Sequence, residues 1–361
     1  MDARGQSAKS GKVDDPHAGS IAAALLAWYD VHARRLPWRA PPGANRADPY
    51  RVWLSEVMLQ QTTVAAVIPY FERFTTRWPD VAALAAAPEE EVMAAWAGLG
   101  YYSRARRLVE CAGVVAARGA FPEDEAGLRA LPGLGAYTAA AVAAIAFGAR
   151  AVVVDANVER VVSRLFAIDA PLPGARGAIR DAADAITPEA RCGDFAQAMM
   201  DLGAGICSVR APQCLICPLR AHCRGQARAE QLPVKPPKKA KAQRIGHAYW
   251  IECDGAVWLI RRPASGMLGG MRALPDDGWN ARHDGSAQAP VDGAWHEAGR
   301  VAHIFTHVAL DLVVMVLQGV DRPSGAKQLE GGEWWPLARL DEAGLPTLYA
   351  RAAAVAMARK G

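Results

Sequence analysis

From Ile21 to about Gly225 apolar positions recur at three- and four-residue spacing, the period of one helix face. Ile21-Ala-Ala-Ala-Leu25-Leu26-Ala-Trp28 and Ala139-Ala-Ala-Val142-Ala-Ala-Ile145 are examples, both rich in alanine. Gly and Pro interrupt the pattern, most sharply at Leu131-Pro132-Gly133-Leu134-Gly135, which predicts a turn between two helices. The periodicity then lapses. Gln231-Leu-Pro-Val-Lys-Pro-Pro-Lys-Lys-Ala-Lys-Ala-Gln-Arg244 has few apolar residues and predicts an extended linker. Beyond it the period is that of strands. Ala248–Cys253 and Ala256–Ile260 flank Asp254-Gly255, a strong two-residue hairpin signal. Val308–Val316 predicts another strand and Leu348–Lys360 a closing helix; no internal repeat is visible. The chain therefore reads as multidomain. A polar, disordered tail is expected over 1–18, an all-α domain over 19–228, a Pro/Lys-rich linker over 229–245 and an α+β domain over 246–361.

Composition changes this picture little. The 361 residues suffice for two cores, and 52% hydrophobic residues fit a folded globular protein. A net charge of +4 permits a nucleic-acid partner without requiring one. No apolar run has membrane-spanning length, and no charged-then-apolar signal segment opens the chain. A cytoplasmic protein without membrane association is expected.

The cysteines change it most. Cys207, Cys214, Cys217 and Cys223 stand with six, two and five residues between them. Four thiolates in one short loop suit zinc or an iron–sulfur cube. The spacing favours the cube, because zinc ribbons use two well-separated Cys-x-x-Cys hairpins and only one such hairpin occurs here. His222 could replace one sulfur ligand, though with four cysteines available it need not. An exposed thiolate cluster also fits a reducing compartment. Cys111, Cys192 and Cys253 are scattered and read as packing residues.

Several segments carry polar residues whose types suit chemistry on nucleic acid. In the Leu131–Gly135 turn, Gly133 and Gly135 are expected to allow positive φ, so that the next helix aims its first amides at a phosphate. Asp155, in Val152-Val-Val-Asp-Ala-Asn157, follows an apolar run and precedes a helix. It reads as a helix cap and also as a carboxylate placed to meet a cationic sugar, with Asn157 able to orient it. Glu56, in Trp53-Leu-Ser-Glu-Val-Met-Leu-Gln-Gln61-Thr62, has Val52, Trp53 and Leu59 on its helix face. Burial there would raise its pKa, as a general acid needs, while a surface glutamate at the stripe edge fits the same pattern. Gln60, Gln61 and Thr62 suit base edges. Gly98-Leu-Gly-Tyr101-Tyr102-Ser-Arg104 sets paired aromatics beside arginines, a pattern for wedging between bases and reaching phosphates.

Together these segments resemble the MutY-type adenine DNA glycosylases of the helix-hairpin-helix superfamily. The resemblance runs from about Ile21 to Lys360, and its most specific parts are Trp53–Thr62, Gly98–Tyr102, the hairpin with Asp155, Met199-Met-Asp-Leu-Gly203 and the cysteine loop. It implies an all-α glycosylase domain followed by a Nudix-like domain. It implies an enzyme that acts as a monomer on double-stranded DNA, excising adenine mispaired with 8-oxoguanine or guanine. By position, Glu56 looks like the acid that protonates adenine N7, and Asp155 like the carboxylate facing the sugar cation, supported by Asn157. Tyr137 takes the hairpin position where the related endonuclease III enzymes carry a Schiff-base lysine, which implies base removal without strand cleavage. Arg39, Trp38 and Gln197 match positions around the extruded adenine. Gln61, Thr62 and Tyr101 match residues that fill the vacated stack, with Gly133 and Gly135 against the backbone. Cys207, Cys214, Cys217 and Cys223 match the ligands of a [4Fe–4S] cluster. Phe305-Thr306-His307 matches a lesion-reading Phe-Ser-His loop, with threonine in place of serine. No Gly-x5-Glu-x7-Arg-Glu-x-x-Glu-Glu box is present, so the acidic metal site of a pyrophosphohydrolase is not expected. An endonuclease III-like glycosylase for oxidised pyrimidines and a non-catalytic iron–sulfur DNA-binding sensor are the competing readings.

Overall fold

A computed structural model of the chain describes residues 17–44, 46–237, 240–263, 266–317, 329 and 331–358. The tail expected over 1–18 lies outside these, apart from His17 and Ala18, as do Lys238 and Lys239 of the linker and Arg359 and Lys360 of the closing helix. Twelve helices are described: α1 (Ala18–His32), α2 (Pro49–Leu59), α3 (Val64–Arg77), α4 (Val81–Ala86), α5 (Glu89–Trp96), α6 (Ser103–Arg118), α7 (Glu125–Arg129), α8 (Ala136–Phe147), α9 (Ala156–Leu165), α10 (Arg176–Ile186), α11 (Cys192–Gly205) and α12 (Thr347–Ala358). Two compact units emerge, one of residues 1–75 with 114–237 and one of 76–113 with 238–361.

The first unit is helical and built around α8. That helix is apolar on every side and buried from Thr138 to Ala144, as a central helix must be. Helices α2, α7 and α11 pack around it. Its small alanines let neighbours come close, and α11 in turn packs on α9. The two helices come close at Gly203, where a Cβ would stand 2.7 Å from Asn157 Cβ. Trp53, Phe71 and Tyr29 fill the rest of the core. Among the described residues no helix is long and apolar enough to cross a membrane.

The second unit carries two sheets. In one, β1 (Ala242–Trp250) runs parallel to β6 (Val308–Leu317), and β5 (Trp295–Ile304) pairs antiparallel with β6. In the other, β3 (Ala256–Arg261) pairs antiparallel with β2 (Glu252–Cys253), β4 (Arg272–Ala273) and β7 (Gly332–Pro336). Asp254 and Gly255 both take positive φ, 47° and 71°, which twists the β2–β3 turn as a tight hairpin requires. Trp250, Leu259, Leu312 and Tyr349 centre the core, which α12 covers. Two strand limits differ from the sequence reading. The chain is already paired from Ala242, inside the expected linker, and the expected Ala248–Cys253 strand is broken at Ile251. At the edge of its sheet, the first half of β1 is mostly exposed, so no apolar alternation marks it.

Candidate active site

A cleft of about 710 Å³ opens in the helical unit, and both carboxylates line it. Helix α2 brings Glu56. Asp48 caps that helix by accepting from Tyr50 N at 2.9 Å, and Pro49 holds its first position. The register turns Glu56 inward with Val52, Trp53 and Leu54, and only 6% of it remains exposed. The surface reading of this residue is thereby excluded. Tyr137, one residue into α8, donates its hydroxyl to Glu56 Oε2 at 2.7 Å. Burial pushes the Glu56 carboxyl up to about 7, assisted by Asp155 and opposed by the Tyr137 hydrogen bond and by Arg39. Burial also drives the Tyr137 phenol well above its ordinary range, with both carboxylates adding to the effect.

Asp155 stands at the N-cap of α9. One oxygen accepts from Val158 N at 2.7 Å and the other from Asn157 Nδ2 at 2.9 Å. It is a cap and a cleft carboxylate at once. The positive end of α9 and two N–H donors surround it, an arrangement suited to negative charge. Trp38 and Arg39 reach the cleft from the loop after α1, and Gln197 from α11. Gln61 and Thr62 lie at its rim beyond α2, where Gln61 takes a positive φ of 57°.

Behind Asp155 runs a hydrogen-bond chain that the sequence reading did not contain. Arg160 Nη2 donates to Asn157 Oδ1 at 2.9 Å and to Gly203 O at 2.6 Å, and its Nε donates to Cys207 O at 2.9 Å. Arg164, one turn on and 2% exposed, donates to the carbonyls of Leu232, Cys207, Ser208 and Val209 and to Cys207 Sγ at 3.2 Å. The hydrogen bonds of both arginines go to carbonyl oxygens, to Asn157 Oδ1 and to Cys207 Sγ, and Asp155 is the carboxylate whose charge reaches Arg160. The only sequence signal was two basic residues four apart on the apolar Val158-Val161-Val162-Leu165 face.

The four cysteine thiols bound one small cavity together with Arg164 and Arg220. Four thiols around one cavity suit a cube, in which each thiolate binds a different iron. Burial raises the Cys217 thiol to about 11 and also raises Cys223, so as free thiols both keep their protons. A buried guanidinium at Cys207 Sγ suits an anionic cluster. The donor set and its surroundings therefore fit a [4Fe–4S] group.

The hairpin needs one correction. Gly133 takes a positive φ of 78°, but Gly135 takes −79° as the extended N-cap of α8. The turn requires only one left-handed residue. Gly135 serves differently: nothing stands within 4 Å of where its Cβ would be, and no side chain caps the helix. The first amides of α8 are thus open to an anion.

Tyr101, Phe305, Thr306 and His307 belong to the second unit and line a cavity of about 460 Å³ there. Tyr101 is 42% exposed, whereas Tyr102 is buried. Arg104 stacks near the Tyr101 ring at 5.4 Å and donates to Leu99 O and Gly100 O. Phe305, Thr306 and His307 form the turn between β5 and β6, closed by Phe305 N donating to Val308 O at 2.8 Å. The hydroxyls of Thr306 and Tyr101 lie 3.1 Å apart.

This chain matches the HhH-GPD superfamily base excision DNA repair protein profile over residues 54–182 and a NUDIX domain profile over 247–354. It is 35% identical to the adenine DNA glycosylase of Rattus norvegicus over 86% of this chain and 72% of that protein. The chain belongs to the adenine DNA glycosylase family. The corresponding protein of Homo sapiens is 34% identical over 86% of this chain and 70% of its own length. That of Mycolicibacterium smegmatis is 46% identical over 55% and 67%. A solved thermostable thymine-DNA glycosylase superposes with a TM-score of 0.51 at 30% identity, covering 58% of this chain and 95% of that one. The protein is thus a DNA glycosylase of base excision repair, with a helix-hairpin-helix domain followed by a Nudix domain. In this glycosylase the cleft brings together Glu56, Asp155, Tyr137, Asn157, Trp38, Arg39, Gln197, Gln61 and Thr62, nine of the residues singled out in the sequence.

Proposed function

We propose that the chain is a monofunctional glycosylase that removes adenine paired with 8-oxoguanine or guanine. The observation that carries this reading is a pair of carboxyl groups in one cleft with opposite surroundings. Glu56 is buried and raised to about 7, while Asp155 is met by N–H donors at a helix start. Adenine leaves a sugar slowly because it departs as an anion. Raised to about 7, Glu56 keeps a proton in a large share of molecules at neutral pH and can pass it to N7, making the base a neutral leaving group. The positive charge left on the sugar then faces Asp155, as in other two-carboxylate sites. Tyr137 keeps Glu56 in place through its 2.7 Å bond, and a phenol forms no Schiff base, so the strand stays intact.

The base must leave the stack to reach this cleft. Tyr101, Gln61 and Thr62 supply groups to fill the gap, and the open amides of α8 after Gly133 and Gly135 suit a phosphate. Trp38, Arg39 and Gln197 would surround the extruded adenine. The Phe305-Thr306-His307 turn offers a hydroxyl and an imidazole for reading the lesion. Cys207, Cys214, Cys217 and Cys223 would hold a [4Fe–4S] cluster, and their four bonds to iron would close the loop after α11. The reading also makes the enzyme a monomer of a reducing cytoplasm. A labelled duplex with adenine opposite 8-oxoguanine tests it. Abasic product without strand cleavage supports the proposal. Cleavage with a borohydride-trapped adduct would point to an endonuclease III-like activity, and binding without base loss to a sensor.

A further inference from the structure

Asp201 takes no part in the steps above, yet it is the most heavily engaged carboxylate beside the cleft. It lies on α11 within the apolar run Ala198-Met-Met-Asp-Leu202 and is 3% exposed. Its Oδ1 accepts from Arg34 Nε at 2.6 Å and Arg39 Nη2 at 2.9 Å. Its Oδ2 accepts from Arg39 Nη1 at 2.7 Å and Arg34 N at 3.1 Å. These bonds occupy its lone pairs, so Asp201 has nothing left to offer a substrate. Burying such a group costs stability, and it is a poor choice if packing alone is required.

We infer that Asp201 is a positioning residue for the acid: it fixes the Arg39 guanidinium and cancels a charge that would otherwise ionise Glu56. Arg39 lines the same cleft as Glu56, and its side chain is 7% exposed, so water screens it little. A buried cation favours the carboxylate form of a neighbouring acid. A bidentate anion on the far side of the cation offsets part of the charge that Arg39 presents to Glu56. Arg34, the other partner, has a side chain 36% exposed and is screened by solvent. The groups facing Glu56 are Tyr137 from α8, Asp155 from the start of α9 and Arg39 from the loop after α1. Tyr29 of α1 and Asp201 of α11 stand behind Arg39, and Gln197 of α11 is neutral. Asp201 is the one carboxylate in this set bound directly to the cation.

This inference rests on Glu56 being the acid, and the test separates the two. Single-turnover adenine release from an A:G duplex is followed between about pH 5.5 and 9. The wild-type rate should fall on a high-pH limb, and Glu56→Gln should remove activity. If Glu56→Gln keeps the rate, the assignment of the acid fails. In Asp201→Asn the uncancelled Arg39 should move the limb down by about one pH unit, whatever the plateau height, because one unit is a tenfold change in proton affinity. The double variant Arg39→Gln with Asp201→Asn removes both charges and should return the limb toward wild type. A limb that stays put in Asp201→Asn, with only a uniform loss of rate, would overturn the inference. Should Asp201→Asn not fold, Arg39→Gln alone must move the limb upward, and an unmoved limb there overturns it equally.

Discussion

At the scale of the residue, Glu56 ties function to a stability cost. Its folded pKa is about 7, against an ordinary value of 4.5. The folded state therefore keeps the proton longer than the unfolded chain does. The contribution is fully present below about 4.5 and is lost as pH rises through about 7. At roughly 1.4 kcal/mol per unit, ionising this buried group costs on the order of 3 kcal/mol. Glu56→Gln keeps an acceptor for Tyr137 but cannot ionise. We expect it to lower single-turnover adenine release by at least about 100-fold, the usual reach of a general acid. Its urea midpoint should exceed that of the wild type at pH 8 and approach it at pH 5. A variant no more stable than wild type at pH 8 would contradict a buried, raised carboxyl. How much of this was legible depended on the residue. Glu56 lay on an apolar stripe, so its burial could be anticipated, though the stripe alone could not decide between inside and edge. Asp155 announced itself by position, after an apolar run and before a helix. Asp201 did not, because its meaning depends on Arg34 and Arg39, more than 160 residues away in the chain.

At the scale of the element, the site depends on how closely α9 and α11 approach. The Gly203 carbonyl receives Arg160, and its missing Cβ makes room for Asn157, which in turn holds Asp155. An alanine here would bring its Cβ within 2.7 Å of Asn157 Cβ, against a backbone that cannot swing away. Gly203→Ala should cost about 1–3 kcal/mol of stability, the usual penalty of overpacking. Adenine release should fall too, while Gly135→Ala, with open space around it, should leave the fold as stable as before. Equal melting midpoints for the wild type and Gly203→Ala would remove this account of the helix contact. Helices such as α3 and α10 were readable from the 3.6-residue period because each buries one face. The β2–β3 hairpin was readable from Asp254-Gly255. The start of β1 was not, since an exposed edge strand of Gln, Arg and Gly shows no alternation. Nor did the sequence distinguish the two glycines of the hairpin, because φ is set by which one closes the turn.

At the scale of the whole molecule, two groups of residues outside the cleft carry separate tests. The thiols of Cys207, Cys214, Cys217 and Cys223 surround a cavity beside a buried arginine. Purified protein should be brown with about four irons per chain, as a cube requires. One zinc in a colourless protein would overturn the cluster. The second group is the Phe305-Thr306-His307 turn. Residues 76–113, including Tyr101, cluster with the C-terminal segment in one compact unit. Cutting the chain after the cysteine loop would strip those residues of their partners, so a loss of activity on truncation would not isolate lesion reading. Point changes do. Thr306 and His307 are exposed at the β5–β6 turn, away from the cores of both sheets, and their replacement by alanine should leave the fold intact. Both carboxylates, Tyr137 and the cysteines remain in place, so adenine opposite guanine should be released at nearly the wild-type rate. 8-Oxoguanine differs from guanine by an N7 hydrogen and a C8 oxygen, features that a hydroxyl and an imidazole can sense through hydrogen bonds. Losing one or two such bonds costs about 1–3 kcal/mol, enough to lower the preference for the oxidised partner by roughly tenfold or more. Thr306→Ala with His307→Ala, assayed on both mispairs in parallel, decides the matter. A selective loss on the 8-oxoguanine duplex assigns lesion reading to this turn, and equal losses on both would make it a general DNA clamp.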